Sequence, residues 1–322
     1  MKEIDLESVA AACLGKLEGS GKITGVCTDT RKIEKGCLFI ALKGENFDGH
    51  DFTLKAVENG AVAVMCSKDC ECGNAAVVRV DDTQKGLLRL AKYYRSLFDI
   101  KVVGVTGSVG KTTTKEMMHC VLSSRFNTHK NYGNLNNQIG MPMSVFELDD
   151  SYDAAVFEMG MADFKEISNL SIVSAPDIAV LTNIGVSHIE TLGSQENILK
   201  AKLEILDGMK EGTPVVINAD DKFLANAVIE NHPKYYYGIE SNKCSIWADD
   251  IKNNDKGTAF TAITEKGEQR VQLPTVGIHN VYNALASIQV GLLLGIPMEV
   301  SAKALEKYEP TGMRQRVNTV NG

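Results

Sequence analysis

Between residues 100 and 115 the chain reads IKVVGVTGSVGKTTTK. This stretch leaves few choices of fold. An apolar strand, Val102–Thr106, runs into Gly107, Ser108, Val109 and Gly110, and Lys111 and Thr112 open a helix. Met117, Met118, Val121 and Leu122 then fall on one helical face, so the helix packs on a sheet. Glycines let the loop turn its N–H groups inward, and the helix N-terminus adds partial positive charge. Lys111 can reach the β- and γ-phosphates of a nucleotide, and the Thr112 hydroxyl can ligate Mg²⁺. Gly107, Ser108, Val109, Gly110, Lys111, Thr112 and Thr113 are therefore the candidate nucleotide contacts. The strict phosphate-loop pattern asks for glycine at 105, where this chain has Val105. The competing reading is a glycine-rich strand–helix turn with a chance lysine. The strand before, the helix after and three consecutive threonines favour the cradle.

A chain of 322 residues exceeds one ordinary core and reads as two domains with part of a third. Residues 1–98 look like a small N-terminal α/β domain, with strands in CLFIALKG and AVAVMC and a helix in GLLRLAKYYRSLF. From residue 99 short apolar strands alternate with helices: Val102–Thr106, Ala154–Glu158, Ile178–Thr182 and Val215–Asn218. Strands apolar on both faces and separated by helices predict a mainly parallel sheet covered by helices. Residues 232–275 alternate and turn often, which predicts an antiparallel edge, and HNVYNALASIQVGLLLG predicts a helix closed by Gly295 and Pro297. The expected fold is α/β: a small first domain, a phosphate-loop nucleotide-binding domain over 99–312, and a stub at 313–322.

Composition narrows the function. Hydrophobic residues at 44% and charged residues at 23% suit a globular protein. A net charge of −7 argues against nucleic acid but not against nucleotides, which need only a local cradle. No apolar run approaches the roughly 18 residues of a membrane span. The N-terminus carries acids and lacks the basic start of a signal peptide, so a cytoplasmic monomer is expected. The eight cysteines read as free thiols, and Cys66, Cys70 and Cys72 fit no common zinc spacing.

A magnesium-bound triphosphate needs further oxygen ligands. Glu158 ends an apolar strand and emerges at the same sheet edge as the loop, where open α/β sheets bind ligands. A strand-end carboxylate can instead cap a helix. His188, just past the strand ending near Thr182 and Asn183, is open to a structural or a functional role. In SQENILKAKLEILDGM, Ser194 is a plausible N-cap and Ile198, Ile205 and Met209 form an inward stripe, widened by Leu199 and Leu206. Lys202 falls inside that stripe, while Lys200 and Glu204 point away. A lysine there snorkels out or finds a partner, and burial would lower its pKa.

The stretches TDTRKIEKGCLFIALKGENFDGHDF, GVTGSVGKTTTKEMM, NYGNLNNQIGMP, EMGM, APDIAVLTNIGVSHIETLGSQENILKAKLEI and GIHNVYNALAS together resemble the Mur ligases of peptidoglycan synthesis. The resemblance implies an ATP- and Mg²⁺-dependent amide ligase working through an acyl phosphate. It implies Thr112, Glu158, His188 and Lys202 as magnesium ligands, Lys202 being carbamylated, and Lys111, Glu158, His188 and Lys202 as the catalytic set. It implies Asn280 and Arg314 as nucleotide contacts. Thr30 and Arg31 would hold the uridine diphosphate end of the substrate, and Asn134, Asn136 and Asn137 its peptide end. ALKGENFDGHDF and GNLNNQIG favour the branch that adds D-Ala-D-Ala to a UDP-MurNAc-peptide. Two departures stand out. Val109 replaces the asparagine frequent in this loop, though its N–H can still serve. The family's third domain, entered after the Arg314 region, has no counterpart, so the chain reads as a fragment that binds substrates with little turnover. The other readings are a sister ligase, adding a diamino acid or glutamate, and a non-catalytic nucleotide-binding module.

Overall fold

The computed structural model describes residues 1–310, which form two compact units. The first comprises residues 1–99 and 138–150, and the second comprises 100–137 and the residues from 151 onward. The expected stub at 313–322, with Arg314, lies outside the described residues.

In the first unit α1 (Leu6–Cys13) precedes β1 (Lys16–Glu18), β2 (Gly25–Cys27) and β3 (Cys37–Ile40). Helix α2 (Thr53–Glu58), β4 (Ala63–Cys66), β5 (Ala76–Arg79) and α3 (Thr83–Arg95) complete it. The sheet order is β1-β5-β4-β3-β2, with β1 antiparallel to its neighbour and the rest parallel. Asp82 caps α3 by accepting from the Lys85 N–H. The sequence division runs the central domain unbroken from residue 99, whereas segment 138–150 returns to the first unit. The reason is apolar: Phe146 and Leu148 are buried there, the Phe146 ring lies 5.6 Å from that of Tyr94, and the Tyr94 hydroxyl donates to the Leu148 carbonyl at 2.6 Å.

The second unit is a nine-stranded sheet. Its strands are β6 (Lys101–Thr106), β7 (Thr128–Lys130), β8 (Ala154–Glu158), β9 (Ile178–Leu181), β10 (Val215–Asn218), β11 (Lys234–Gly238), β12 (Ile246–Asn254), β13 (Gly257–Thr264) and β14 (Gly267–Leu273). Their order is β14-β13-β12-β11-β10-β9-β6-β8-β7. Pairing is parallel from β7 to β12 and antiparallel through β13 and β14. The antiparallel edge thus begins later than residue 232, since KYYYG still pairs parallel with β10. Strands β8, β9 and β10 are buried along their whole length, as continuous apolar runs between helical layers require.

Helices α4 (Lys111–Leu122), α5 (Glu166–Ser174), α6 (Gln195–Leu203), α7 (Ile278–Leu293) and α8 (Met298–Leu305) follow the strands. Met117, Met118, Val121 and Leu122 are fully buried, so α4 packs as its spacing predicts. Ser194 caps α6 by accepting from the Asn197 N–H. After Leu203 the backbone tightens into a 3₁₀ turn, Glu204–Gly208, which shifts the helical phase. Glu204 is therefore buried, not outward-facing: its carboxylate accepts from the Lys165 and Ser168 N–H groups at the start of α5. Lys202 stays in the buried stripe.

Strand β6 pairs with β8 on one side and β9 on the other. The connections leaving these three strands diverge at their carboxyl ends, and that crevice is where an open α/β sheet takes a ligand. Among the described residues no helix is long and apolar enough to cross a membrane.

Candidate functional site

A cavity of about 940 Å³ opens at this divergence, lined by residues 108–113, Glu158, Thr182, Asn183 and side chains from α7. The loop between β6 and α4 forms its floor. Gly110 has φ +83° and Gly107 φ +155°, conformations that glycine adopts without strain. A Cβ on Gly107 would sit 1.8 Å from the Thr182 hydroxyl oxygen, so the residue must also be small. The end of β9 braces the loop: the Thr182 hydroxyl donates to the Val109 carbonyl at 2.7 Å, and the Ser108 N–H donates to the Asn183 carbonyl at 3.0 Å. The Val109 N–H, expected to serve a ligand, instead donates to Asn183 Oδ1 at 2.9 Å. Thr112 and Thr113 lie in the first turn of α4, where a helix has no internal acceptor for its N–H groups. Lys111 folds over the loop, donating to the Gly107 and Ser108 carbonyls at 2.8 and 3.3 Å.

Glu158 faces the same cavity and is 2% exposed. Asn136 donates to its Oε1 at 2.8 Å. Its Oε2 has no hydrogen-bond partner, a costly state for a buried carboxylate oxygen. A hard cation fits this arrangement, because an oxygen with unshared lone pairs faces a cavity that also holds Thr112. Lys202 is 2% exposed. Burial, aided by the positive charge of Lys111, pulls its pKa down to about 7.

The other residues singled out in the sequence divide. Asn134 and Asn136 line the cavity, but Asn137 is not part of its wall. His188 is exposed, with φ +66°, at the start of the short helix Ile189–Leu192, outside the lining. Thr112 and Glu158 thus share the cavity wall while His188 does not line it, and among the described residues no three His, Cys, Asp or Glu side chains converge as a metal cage. Asn280 is buried and donates to the Val276 carbonyl at 2.9 Å, while His279, Tyr282 and Asn283 of the same helix face the cavity. An α-helix turns 100° per residue, so the neighbours and not Asn280 reach that wall. Thr30 and Arg31 belong to the first unit. There Arg31 grips Asp29 through Nε and Nη2 at 2.9 and 2.8 Å, and those bonds hold the Asp29 pKa down to about 2.

Sequence reasoning missed several groups. Asn131, fully buried, accepts from the Glu158 N–H and donates to its carbonyl. Lys115, one turn beyond Lys111, is also fully buried and reaches toward Glu158. Asp220 anchors the Tyr282 hydroxyl at 2.9 Å. Burial alone would raise the Asp220 pKa, but N–H groups of Ile239, Glu240 and Ser241 and the Tyr282 hydroxyl outweigh it and lower the value. Only Lys115 left a signal, a lysine at i+4 from the loop lysine, level with buried methionines.

The fold and this cavity define a phosphate-loop α/β protein with a strand-end carboxylate beside the loop. Comparison with known proteins gives the family. The Mur ligase middle domain matches residues 105–291, and the Mur ligase family catalytic domain matches residues 22–95. The chain is 44% identical over 295 residues to the UDP-N-acetylmuramoyl-tripeptide–D-alanyl-D-alanine ligase of Bacillus subtilis, which covers 91% of this chain and 63% of that protein. It is 36% identical to the Escherichia coli ligase of the same name, covering 93% of this chain and 67% of that one. The crystal structure of MurF from Acinetobacter baumannii superposes with a TM-score of 0.91 at 32% identity, covering 96% of this chain and 69% of that one. The chain belongs to the Mur ligase family. It spans less than two thirds of the length of the Bacillus subtilis relative.

Proposed function

We propose that this chain carries the nucleotide-handling part of an ATP-dependent ligase that joins D-alanyl-D-alanine to a UDP-MurNAc-tripeptide. The observation that carries the reading is one cavity uniting the phosphate loop, Lys111 and a Glu158 oxygen that has no hydrogen-bond partner. The related enzymes' names supply the substrates, and a MurF ligase from Thermotoga maritima, 29% identical with a TM-score of 0.85, was crystallised with ADP.

In the proposed reaction a substrate carboxylate oxygen attacks the γ-phosphorus of ATP and the β,γ-bridging P–O bond breaks, releasing ADP. The acceptor amine then attacks the acyl carbon, phosphate leaves with the bonding pair, and the amine loses a proton. The chain's residues act by position and charge. First-turn N–H groups and Lys111 would hold the phosphates. Thr112 and Glu158 would hold Mg²⁺, which when bound neutralises crowded oxyanions. Lys202, uncharged over half the time above pH 7, would attack CO₂ through its amine nitrogen, form the N–C bond and release a proton to water, becoming a carbamate anion near Lys111. His188 would join through movement of its exposed loop, and Asn134, Asn136 and Asn137 would face the peptide.

Calorimetric titration of the chain with ADP, with and without Mg²⁺, tests the reading. Mg²⁺-dependent binding that weakens about tenfold or more in Lys111→Ala is expected. No nucleotide binding under either condition would make the chain a module of another kind. Phosphate release with the UDP-tripeptide, ATP and D-alanyl-D-alanine tests the substrates, and a diamino acid acceptor tests the sister reaction.

A further inference from the structure

Beside the phosphate loop lies a buried charge cluster of which the proposed reaction uses only Glu158. Lys115, fully buried on the second turn of α4, donates to the Asn131 carbonyl at 2.6 Å. Its ammonium also lies 3.2 Å from Glu116 Oε1 and 3.9 Å from Glu158 Oε2. The other oxygen of Glu116 takes Lys130 in a short ion pair. No side chain of the four is more than 14% exposed. Two lysines and two glutamates sum to zero, which is how buried charges persist. His119 sits among them, and burial, aided by the Lys130 charge, lowers its pKa, so at pH 8 it adds no charge.

The charge of Glu158 is therefore balanced before any cation arrives. Yet Lys115 stands too far from Oε2 for a hydrogen bond, and that oxygen keeps its lone pairs. A bare divalent cation on Oε2 would carry the cluster to +2 and face an ammonium a few ångströms away, in surroundings that screen poorly. A cation arriving on phosphate oxygens brings its own negative charge. We propose that Lys115 is a positioning residue acting through Glu158, a built-in counter-ion that makes divalent-cation capture at this carboxylate conditional on a nucleotide's phosphates. This rests on the reading of Glu158 as a cation ligand.

The test follows free Mn²⁺ by electron paramagnetic resonance, with the 322-residue chain at pH 8, with and without ADP. In the native chain, Glu158→Gln should leave Mn²⁺ affinity unchanged without ADP and weaken it with ADP. Lys115→Met leaves the cluster at −1, so it should bind one Mn²⁺ without ADP about tenfold or more tighter than the native chain. Lys115→Met/Glu158→Gln should lose that gain. A merely structural lysine would give no gain on removal. The proposal is overturned if the native chain already takes Mn²⁺ at Glu158 without ADP, or if folded Lys115→Met shows no gain. Should circular dichroism find Lys115→Met unfolded, the native and Glu158→Gln comparison decides alone. If ADP fails to bind at all, the nucleotide reading falls, while the ADP-free comparison of Lys115→Met with the native chain still judges Lys115.

Discussion

Asn131 holds Glu158 by both sides of its peptide backbone: Oδ1 accepts from the Glu158 N–H at 2.8 Å and Nδ2 donates to the Glu158 carbonyl at 3.0 Å. A side-chain amide thereby replaces the strand partner that β8 lacks at its end, and the carboxylate is fixed at the cavity wall. Asn131→Ala leaves both groups buried and unpaired. The expected loss of stability is about 2–4 kcal/mol, measured by urea unfolding. A change below about 0.5 kcal/mol would mean that water replaces the amide at no cost.

Gly107→Ala tests the loop's close approach to β9. The new Cβ would meet the Thr182 hydroxyl oxygen at 1.8 Å, on a backbone at φ +155°. A loss of about 2 kcal/mol or more is expected, with ADP binding abolished as the loop moves away. Unchanged ADP affinity by calorimetry would show that the brace is dispensable.

Lys202 gives a pH signature. Its pKa falls from 10.5 to about 7 in the fold. Below pH 7 the native state bears the full cost of a buried ammonium. Between 7 and 10.5 the unfolded chain binds a proton that the native chain does not, so stability rises with pH. Lys202→Met removes the cost. It should exceed the native chain by a few kcal/mol at pH 6, on the order of the shift, with the advantage shrinking toward pH 10. Urea unfolding in CO₂-free buffer reads this, and a flat difference contradicts it. With ¹³C-bicarbonate at pH 8, a carbamate resonance absent from Lys202→Met is expected.

Asp220 shifts stability with pH in the same sense as Lys202, but in the acid range and as a favourable contribution instead of a cost. Its pKa is lowered on folding, so its contribution is present above the ordinary carboxylate value and fades as pH falls through the folded one. Asp220→Asn should cost about 1–3 kcal/mol at pH 7, because it removes the charge and puts an NH₂ donor in place of one of the two oxygens that accept from three N–H groups and the Tyr282 hydroxyl. The gap between variant and native chain should narrow below about pH 4, the ordinary aspartate range. A gap that stays constant down to pH 2.5 would assign the loss to packing.

By itself the sequence determined the strand–loop–helix around Lys111, the apolar strands on either side of it, the capping of α6 by Ser194 and the place of Lys202 in the inward stripe, while leaving open whether its ammonium snorkels out. Each follows from local spacing: a 3.6-residue period, a both-face apolar run, or a glycine needed for a turn. It also placed Glu158 at the right sheet edge, because a strand's end fixes the end of its last side chain. Tertiary structure alone decided that segment 138–150 rejoins the first unit, that Glu204 turns inward after the helix tightens, and that His279, Tyr282 and Asn283 face the cavity while Asn280 does not. The charge cluster of Lys115, Glu116, Lys130 and Glu158 also belongs to this second group, since its members come from three elements. Local periodicity records which side of an element is buried, but which distant side chain waits there depends on how the elements pack.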